Sequence, residues 1–422
     1  MKHKFLLSIG FGVLWLGGSA YFSYFWATET AQVLPPLYVW WAIIGIALLP
    51  GFLMSAMFFS NLLHWRLRQY PDTDRATTIL MCAHNEEESI DGAIRAVVEQ
   101  QYPGDIRLLV IDNASTDGTR EKTMEWVRRS GAHRVVEYLF CPQLGKANAL
   151  NFGLEHVHTP YFLTVDADTY LEQRAVQKIM NHIVDTQSVC VAGNLFVQNA
   201  KSSLAARMQN YDYLLSIAAV KRFQGSYCST LVAQGAFSAY RTEVVRETGG
   251  WQNVLGEDIV LTYALLQQGL ASSYEPAAVG YTRVPQTCNE LYNQRKRWAV
   301  GMLEGLSSVP PWQQGSAYSR YFTTVNLWVI YLDLAFLFGL LPGVALALCG
   351  YYYLAGCLTV FTAAVGGVFF LSTYLYQKKL GIPFQNDLLG FVCFLFLFQA
   401  VQSTAALQGY LTWLLHGKEE WS

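Results

Sequence analysis

Long apolar runs stand at both ends of this chain, and a long polar stretch separates them. Near-continuous apolar runs occupy residues 5–26, 38–63, 321–348, 351–376 and 388–415. Each is about as long as a helix that crosses the hydrocarbon core of a bilayer, ~20 residues. The runs predict two membrane spans within 1–64, a soluble block at 65–320 and about three spans within 321–422. Because Leu341-Pro342-Gly343 interrupts one run, an arrangement of four spans is an alternative to one of five.

The orientation of the spans follows from the lysines and arginines of short loops, which favour the cytoplasmic side. In a five-span arrangement one side carries Lys2, Lys4, Arg66, Arg68, Lys378 and Lys379. The N-terminus and the block 65–320 are therefore predicted to be cytoplasmic, in a multi-pass protein of the inner (plasma) membrane that contacts lipid. Asp333 lies inside an apolar run, where a carboxylate marks either a function or a packing contact between helices.

The charge balance argues against one class of partner. With 29 Lys and Arg against 31 Asp and Glu, the formal net charge is −2, so nothing in the charge favours nucleic acid binding. The eight cysteines include no CxxC pair. Reduced thiols are therefore expected in the block predicted to be cytosolic, and no structural zinc site.

The soluble block has the pattern of an α/β domain. Buried strands are predicted at Thr77–Ala83, Ile106–Asp112, Arg134–Phe140 and Tyr161–Val165. Helical periodicity lies between them, at 88–101 and 146–156. Strands that alternate with helices predict a parallel sheet covered on both faces. Ligands of such sheets bind beyond the carboxyl ends of the strands, which is where His84-Asn85-Glu86, Asp112-Asn113 and Asp166-Ala167-Asp168 are expected to converge.

Two pairs of acids are candidates for chemistry. Asp166 and Asp168, just after a buried strand, have the spacing of a pair that holds a divalent cation, although a solvated turn with two acids gives the same pattern. Glu257 and Asp258 open a helical stretch, where acids are favourable simply through the helix dipole. The functional interpretation of the second pair is a general base for an acceptor hydroxyl.

Two basic elements are candidates for binding phosphate. Lys146 opens a helix, where a cation is mildly unfavourable, which hints at an anionic partner. The cluster Gln294-Arg295-Lys296-Arg297-Trp298 lies on a helix predicted at about 288–306. Arginine suits bidentate phosphate binding and an indole face packs on a sugar ring. The alternative for this cluster is a basic patch at the membrane surface.

Taken in order, these motifs resemble the inverting, processive family-2 glycosyltransferases, the group of cellulose, chitin, hyaluronan and poly-N-acetylglucosamine synthases. The resemblance covers about residues 77–305, and the flanking spans match the family's layout. It implies an α/β domain of the GT-A type, which binds nucleotide sugars, inserted between N- and C-terminal transmembrane helices.

The resemblance also implies a role for each matching residue. Asp258 matches the catalytic base, and Asp168 the metal ligand for Mg²⁺ or Mn²⁺. The residues expected to bind substrate are Ala83, Asn85, Glu87, Asp112, Asn113, Lys146, Asp166, Ala167, Gln234, Gly235, Glu257, Gln294, Arg297 and Trp298. Within this set Gln294, Arg297 and Trp298 form the family's Q-x-x-R-W motif. Two positions depart from the pattern, since Asn113 replaces a common aspartate and Gly256 a common threonine.

The activity that this resemblance implies is polymerisation of N-acetylglucosamine from UDP-N-acetylglucosamine into poly-β-1,6-N-acetylglucosamine, with export across the membrane coupled to it. Its partners would be the UDP-sugar donor, the growing polysaccharide acceptor, membrane lipid and a small membrane partner subunit. A hyaluronan or other β-glycan synthase is the first alternative, and transfer of one sugar to a lipid carrier the second. A transporter without catalysis is a different class, which the large soluble block disfavours.

Overall fold

The computed structural model describes residues 1–416, except the side chains of 357–364 and of 416. Four of its helices are long and apolar enough to cross a membrane: Lys2–Thr30, Pro36–Leu63, Ala317–Leu348 and Leu388–Leu415. They correspond to four of the five predicted spans. The fold therefore has apolar helices at both ends of the polar block.

The interruption predicted at Leu341-Pro342-Gly343 does not break its helix. A π-helical turn, Phe336–Leu340, precedes Pro342, and the helix continues to Leu348. The second span has the same local structure, since the π turn Ile44–Leu48 precedes Pro50. Proline lacks an N–H and crowds the carbonyl four residues earlier, and a π turn absorbs that mismatch.

The fifth predicted span, 351–376, falls on the helix Cys357–Lys379, of which the side chains of 357–364 lie outside the described residues. Contacts at the two ends of this helix are nevertheless informative. Just before it, the carbonyl of Tyr352 accepts a hydrogen bond from the Trp26 indole at 3.2 Å. At its end, Lys379 Nζ donates to the carbonyl of Trp65 at 3.0 Å. Because Trp26 and Trp65 lie near opposite ends of the first helix pair, the geometry is consistent with a fifth crossing.

The polar block is built on a sheet of eight strands. They are β1 Thr77–Ala83, β2 Ile106–Asp112, β3 Arg134–Phe140, β4 Tyr161–Val165, β5 Thr169–Leu171, β6 Cys190–Val197, β7 Phe237–Arg241 and β8 Ser272–Thr282. Their order is β3-β2-β1-β4-β7-β6-β8-β5. The four predicted strands pair in parallel, but β7 runs antiparallel to β4 and β6, and β5 antiparallel to β8. The expectation of an all-parallel sheet is therefore wrong beyond β4.

Helices cover both faces of the sheet. They are Ile90–Val98, Thr119–Arg128, Lys146–Glu155, Ala175–Thr186, Leu204–Asp212, Ala219–Gly225, Thr242–Glu247, Glu257–Gln267 and Cys288–Ser308, with a π turn at Tyr213–Ala218 and a 3₁₀ turn at Pro311–Gln313. Alternation along β1 shows why two layers form, since Ile79 and Met81 join one buried cluster and Leu80 the other. The two buried clusters, one on each face of the sheet, hold the strands and therefore the positions of their carboxyl ends.

The helical stretch at 204–225 packs on the domain. Met208 and Leu214 are buried. The same stretch also contacts the second span, because Arg222 donates to the carbonyls of Asn61 at 2.6 Å and His64 at 2.9 Å. It therefore joins the domain to the end of the span Pro36–Leu63.

Candidate active site

The first group of predicted site residues lies at the ends of β1 and β2, and we call it the closed network: Ala83, Asn85, Glu87, Asp112 and Asn113. Both oxygens of Asp112 accept hydrogen bonds, Oδ1 from the Ser115 N–H at 2.9 Å and Oδ2 from the Tyr138 hydroxyl at 2.7 Å. Asn113 bonds the loop after β3, because its Oδ1 accepts from the Gly145 N–H and its Nδ2 donates to the Gln143 carbonyl. These bonds fix the loops at this end of the sheet.

The loop after β1 belongs to the same network. Asn85 has a positive φ of 56°, and its Oδ1 accepts from the Thr116 N–H at 2.8 Å. Glu87 Oε2 accepts from the Gly118 N–H at 3.1 Å. Ala83 is buried at the strand end, and its carbonyl accepts from the Asn113 N–H. The polar groups of the network are thus largely satisfied within the chain.

The second group lies at the end of β4 and at the start of two helices, and we call it the acidic cluster: Lys146, Asp166, Asp168, Glu257 and Asp258. Lys146 Nζ pairs with Asp166 Oδ1 at 2.5 Å. Ala167 is buried between the two aspartates, which holds the turn against the core. Lys146 and Glu257 each occupy the first position of a helix. Carboxylates from distant parts of the chain therefore meet around one lysine.

The charges of the acidic cluster are not balanced. Burial, together with the charges of Asp166 and Glu86, raises the pKa of Asp168 to about 7. Burial, together with the neighbouring Asp258, raises the pKa of Glu257 to about 8. Burial alone would lower the pKa of Lys146, but the charges of Asp166 and Glu257 outweigh it and the pKa rises. The site therefore favours an additional cation.

Asp258 sits beside a loop that was also predicted to bind substrate. Its Oδ2 lies 3.4 Å from the Gly235 N–H, and burial raises the pKa of Asp258, opposed by the charges of Lys146 and Lys221. A Cβ at Gly235 would lie 3.0 Å from Lys146 Nζ, so this position has little room for a side chain. Gln234 is held by its own hydrogen bond to the Gly193 carbonyl at 2.8 Å.

The departure from the family pattern at Gly256 has a steric cause. A Cβ at Gly256 would lie 2.5 Å from Gly301 Cα, so the two backbones pack in direct contact. The Gly256 N–H also donates to Glu304 Oε2 at 2.8 Å. Gly301 and Glu304 belong to the helix Cys288–Ser308, which carries the Q-x-x-R-W motif. The helix of Asp258 and the motif helix are thereby locked together.

The motif residues lie on that helix at different depths. Trp298 is 41% exposed, and Arg297 is exposed on the same turn. Gln294 is half-buried, with its Oε1 enclosed. The buried arginine of the motif is Arg295, whose guanidinium carbon lies 4.0 Å from the centroid of the Trp298 ring.

Sequence reasoning missed one charged residue of this region, Lys221. Lys221 is 7% exposed and donates from Nζ to the Val232 carbonyl, just before Gln234. Burial lowers the pKa of Lys221 to about 8, while the charge of Asp258 opposes the shift. Glu86, which was expected at this edge of the sheet together with His84 and Asn85, adds a further acid beside Asp168. The one available signal for Lys221 was its position directly after the apolar run Ile217-Ala218-Ala219-Val220.

A divalent cation fits the acidic cluster by its donor chemistry. Among the described residues no three His, Cys, Asp or Glu side chains form a ready metal cage. Asp168, with Asp166 and Glu86 beside it, supplies carboxylate oxygens and an excess of negative charge. Mg²⁺ and similar ions commonly bind to one or two carboxylates and take their remaining ligands from phosphate and water. The acidic cluster therefore suits a divalent cation that binds together with a phosphate group, which supplies some of its ligands.

Comparison with known proteins decides the nature of the domain. Residues 78–249 match the sequence profile described as "Glycosyl transferase family 2". We call this matched part of the chain the glycosyltransferase domain, after the family that it resembles. The resemblance predicted from the motifs is thereby confirmed over the strands β1–β7 and the loops between them, which include the closed network and Asp166-Ala167-Asp168.

Relatives of the glycosyltransferase domain extend the match. The chain is 29% identical over 250 residues to poly-beta-1,6-N-acetyl-D-glucosamine synthase of Staphylococcus aureus, covering 58% of this chain and 60% of the relative. It is 28% identical over 226 residues to the synthase of that name from Staphylococcus epidermidis, covering 53% and 54%. The match thus spans little more than half the length of these relatives.

A solved structure shares the fold of the glycosyltransferase domain and its flanking helices. A mannosyltransferase from Pyrobaculum calidifontis, in complex with GDP-Man and Mn²⁺, superimposes with a TM-score of 0.56 at 21% identity, covering 88% of this chain and 99% of that chain. The predicted fold class, an α/β domain of the GT-A type between apolar terminal helices, is confirmed.

Proposed function

We propose that this protein is a processive, inverting β-glycosyltransferase that polymerises N-acetylglucosamine from UDP-N-acetylglucosamine into poly-β-1,6-N-acetylglucosamine. The observation that carries the proposal is the acidic cluster, in which Asp166, Asp168 and Asp258 meet around Lys146 at the edge of a family 2 glycosyltransferase domain. The names of the relatives support N-acetylglucosamine as the sugar.

The proposed reaction is one displacement at the anomeric carbon of the donor. Asp258 takes the proton of the acceptor hydroxyl, the acceptor oxygen bonds to the anomeric carbon, and the bond to UDP breaks with its electron pair on the leaving phosphate. Burial suits Asp258 to this role, because a base with a raised pKa binds the proton more strongly. Glu257 and Gly235 flank the base on the acceptor side.

The donor would lie across the two groups of residues. The closed network, Asn85, Glu87, Asp112 and Asn113 with Ala83, forms the proposed uridine end of the pocket. Lys146 and Asp166 would contact the diphosphate. Asp168 would hold Mg²⁺ or Mn²⁺, which when bound neutralises charge on the diphosphate. The excess negative charge around Asp168 supports this assignment.

The acceptor would lie toward the motif helix. Gln234 and Gly235 line one side of the proposed acceptor position, and Gln294, Arg297 and Trp298 the other. Trp298 has the exposed indole that such a platform needs. Arg297 would add positive charge at the departing UDP, and electrostatic stabilisation of this kind usually contributes most to the rate enhancement of an enzyme.

The catalytic domain is proposed to face the cytoplasm from the inner membrane. Lys4 Nζ donates to the Leu63 carbonyl at 2.8 Å and Lys379 Nζ to the Trp65 carbonyl at 3.0 Å, so basic residues gather where the spans meet the domain. Lysines near span ends favour the cytoplasmic side. Export of the polymer through the spans and a small partner subunit stay predictions.

One experiment tests the activity and its alternatives together. The purified protein in lipid nanodiscs is incubated with labelled UDP-sugars and Mn²⁺, and the product is digested with linkage-specific hydrolases. A polymer made only from UDP-N-acetylglucosamine and cut by a β-1,6-specific hydrolase is expected. A product that needs UDP-glucuronate as well would support a hyaluronan synthase, and a single sugar on lipid would refute processivity.

A further inference from the structure

A buried ion pair joins the motif helix to the helix stretch at 204–225. Arg295 Nη2 lies 2.7 Å from Asp212 Oδ2, and the two side chains are 5% and 1% exposed. Asp212 ends the helix Leu204–Asp212, while Arg295 lies in the helix Cys288–Ser308. Charges buried this deeply lose their hydration, so such a pair is seldom the most stabilising choice for a core.

The pair is also incompletely satisfied. Within the described part of the chain, Asp212 Oδ1 and Arg295 Nε have no hydrogen-bond partner. Buried polar atoms without partners reduce stability. A core selected for stability alone would place apolar side chains at these two positions, so the arrangement calls for another role.

The guanidinium of Arg295 contacts two aromatic rings. It lies 4.0 Å from the centroid of the Trp298 ring and 5.3 Å from that of Phe398, which belongs to the last span. Because Trp298 is one turn along the helix from Arg295 and is 41% exposed, its indole rests on the guanidinium and presents its remaining surface outward. The orientation of the indole therefore depends on where Arg295 is held.

The residue after Asp212 connects this arrangement with the acidic cluster. Tyr213 is buried, and its hydroxyl lies within electrostatic range of Arg295 and Asp212 as well as of Asp168 and Asp166. The ion pair and the acidic cluster therefore act on the same buried hydroxyl. A displacement of the ion pair would move the indole relative to the reacting centre.

We propose that Asp212 and Arg295 are positioning residues that fix the Trp298 indole as the platform for the acceptor sugar ring. The proposal rests on the proposed function and deepens it, because it explains how an ion pair between two helices holds the acceptor site in place. The ligand is a pyranose of the growing chain, whose apolar C–H face packs on the indole.

The test compares acceptor binding in four variants. Equilibrium binding of a β-1,6-linked N-acetylglucosamine tetramer is measured without donor on Asp212→Asn, Arg295→Met, Trp298→Ala and the combination of Asp212→Asn with Trp298→Ala. We expect about tenfold weaker binding in each single variant, since small misplacement of a contact is costly. The combination should bind no more weakly than Trp298→Ala alone, because the two changes remove the same contact.

A kinetic readout separates positioning from loss of fold. With labelled UDP-N-acetylglucosamine, the fraction of released UDP that is matched by sugar in the product should fall in Asp212→Asn, because a misplaced acceptor lets water attack the anomeric carbon of the donor instead and release free sugar. The matched control is Glu275→Gln, which removes a carboxylate of similar burial that pairs with His182 at 2.9 Å. This control should lose stability without a change in that fraction.

The double variant Asp212→Leu with Arg295→Met decides the outcome if single variants unfold. Apolar replacement of a buried pair usually keeps or raises stability. We expect it to keep the melting temperature but not the tetramer affinity. Wild-type affinity in this folded variant, or an equal loss of tetramer affinity in Glu275→Gln, would overturn the proposal.

The wild-type protein separates this proposal from the proposed function. Wild-type protein that binds the tetramer but releases no UDP would refute only the proposed function, whereas wild-type protein that does not bind the tetramer would refute the positioning role.

Discussion

The closed network and the acidic cluster lie at the same edge of one sheet, but their carboxylates differ in hydrogen bonding and in pKa. Asp112 has a hydrogen-bond donor on each oxygen, both from within the chain. Among the described residues, Asp168 accepts hydrogen bonds from the hydroxyls of Thr169 and Thr282, each at 3.3 Å, and burial and neighbouring acids raise its pKa to about 7.

This difference distinguishes residues that hold the loops in one conformation from residues that are proposed to take part in the reaction. Where the loops must keep one conformation, the chain satisfies its polar atoms internally, because an unpaired buried group costs free energy. Where a charged ligand is proposed to bind, the acidic residues outnumber the cations Lys146 and Lys221. Strongly shifted pKa values concentrate at functional sites for this reason.

The largest expected effect comes from an acid-to-amide change in the acidic cluster. Asp258→Asn should lower sugar transfer about 10³-fold, because the amide cannot accept the proton of the acceptor hydroxyl. Incorporation of labelled sugar measures the effect, and Glu243→Gln on the exposed start of a helix is the control. Transfer at the wild-type rate would remove Asp258 from the proposed mechanism.

A change at Gly256 tests whether the acidic cluster depends on the motif helix. Gly256→Ala should lower the free energy of unfolding by about 1–3 kcal/mol, because the new Cβ meets the backbone of Gly301. Thermal unfolding in nanodiscs measures it. Gly131→Ala is the matched control, since a Cβ there meets nothing within 4 Å. Equal melting temperatures for the two variants would contradict the close packing.

The same acid-to-amide change in the closed network should have a smaller effect. Asp112→Asn keeps one acceptor oxygen but loses the hydrogen bond from either Ser115 or Tyr138, so we expect donor affinity to fall about tenfold while the rate at saturation stays close to that of the wild type. Steady-state kinetics with UDP-N-acetylglucosamine separate KM from kcat. Should kcat fall as far as in Asp258→Asn, the distinction between the two groups would fail.

The smallest expected effect concerns pH. Lys221 is cationic below about pH 8, and its charge lowers the pKa of Asp258. In Lys221→Met the remaining cation near the base is Lys146, so Asp258 keeps its proton to higher pH and the acid limb of the rate profile moves upward. We expect a loss of only about threefold near pH 6. Lys178→Met, on an exposed ion pair, should leave the limb in place.

The first half of the fold was predictable because its signals are local. The strands Thr77–Ala83 and Ile106–Asp112 are apolar runs with polar residues directly after them, and both have their predicted bounds. The strand β7 carries no comparable signal. Its antiparallel position between β4 and β6 is set by contacts between parts of the chain that are far apart in sequence.

The candidate site was predictable only where residue type and spacing carry information. Asp166, Asp168 and Asp258 follow recognisable patterns, and the structure gathers them around Lys146. The ion pair of Asp212 with Arg295 could not be predicted, because Asp212 has no distinctive sequence context and the contact joins two helices remote in sequence. The role of Gly256 likewise depends on a neighbour, Gly301, that the sequence does not identify.

The most direct test of the acidic cluster is the binding of UDP as a function of Mn²⁺ concentration. Isothermal titration at pH 8 should give Mn²⁺-dependent UDP binding for the wild type and for Asp185→Asn, a surface acid that pairs with Arg68. Asp168→Asn, with an unchanged melting temperature, should bind UDP at least about tenfold more weakly in the presence of Mn²⁺. Wild-type binding by Asp168→Asn would contradict the account.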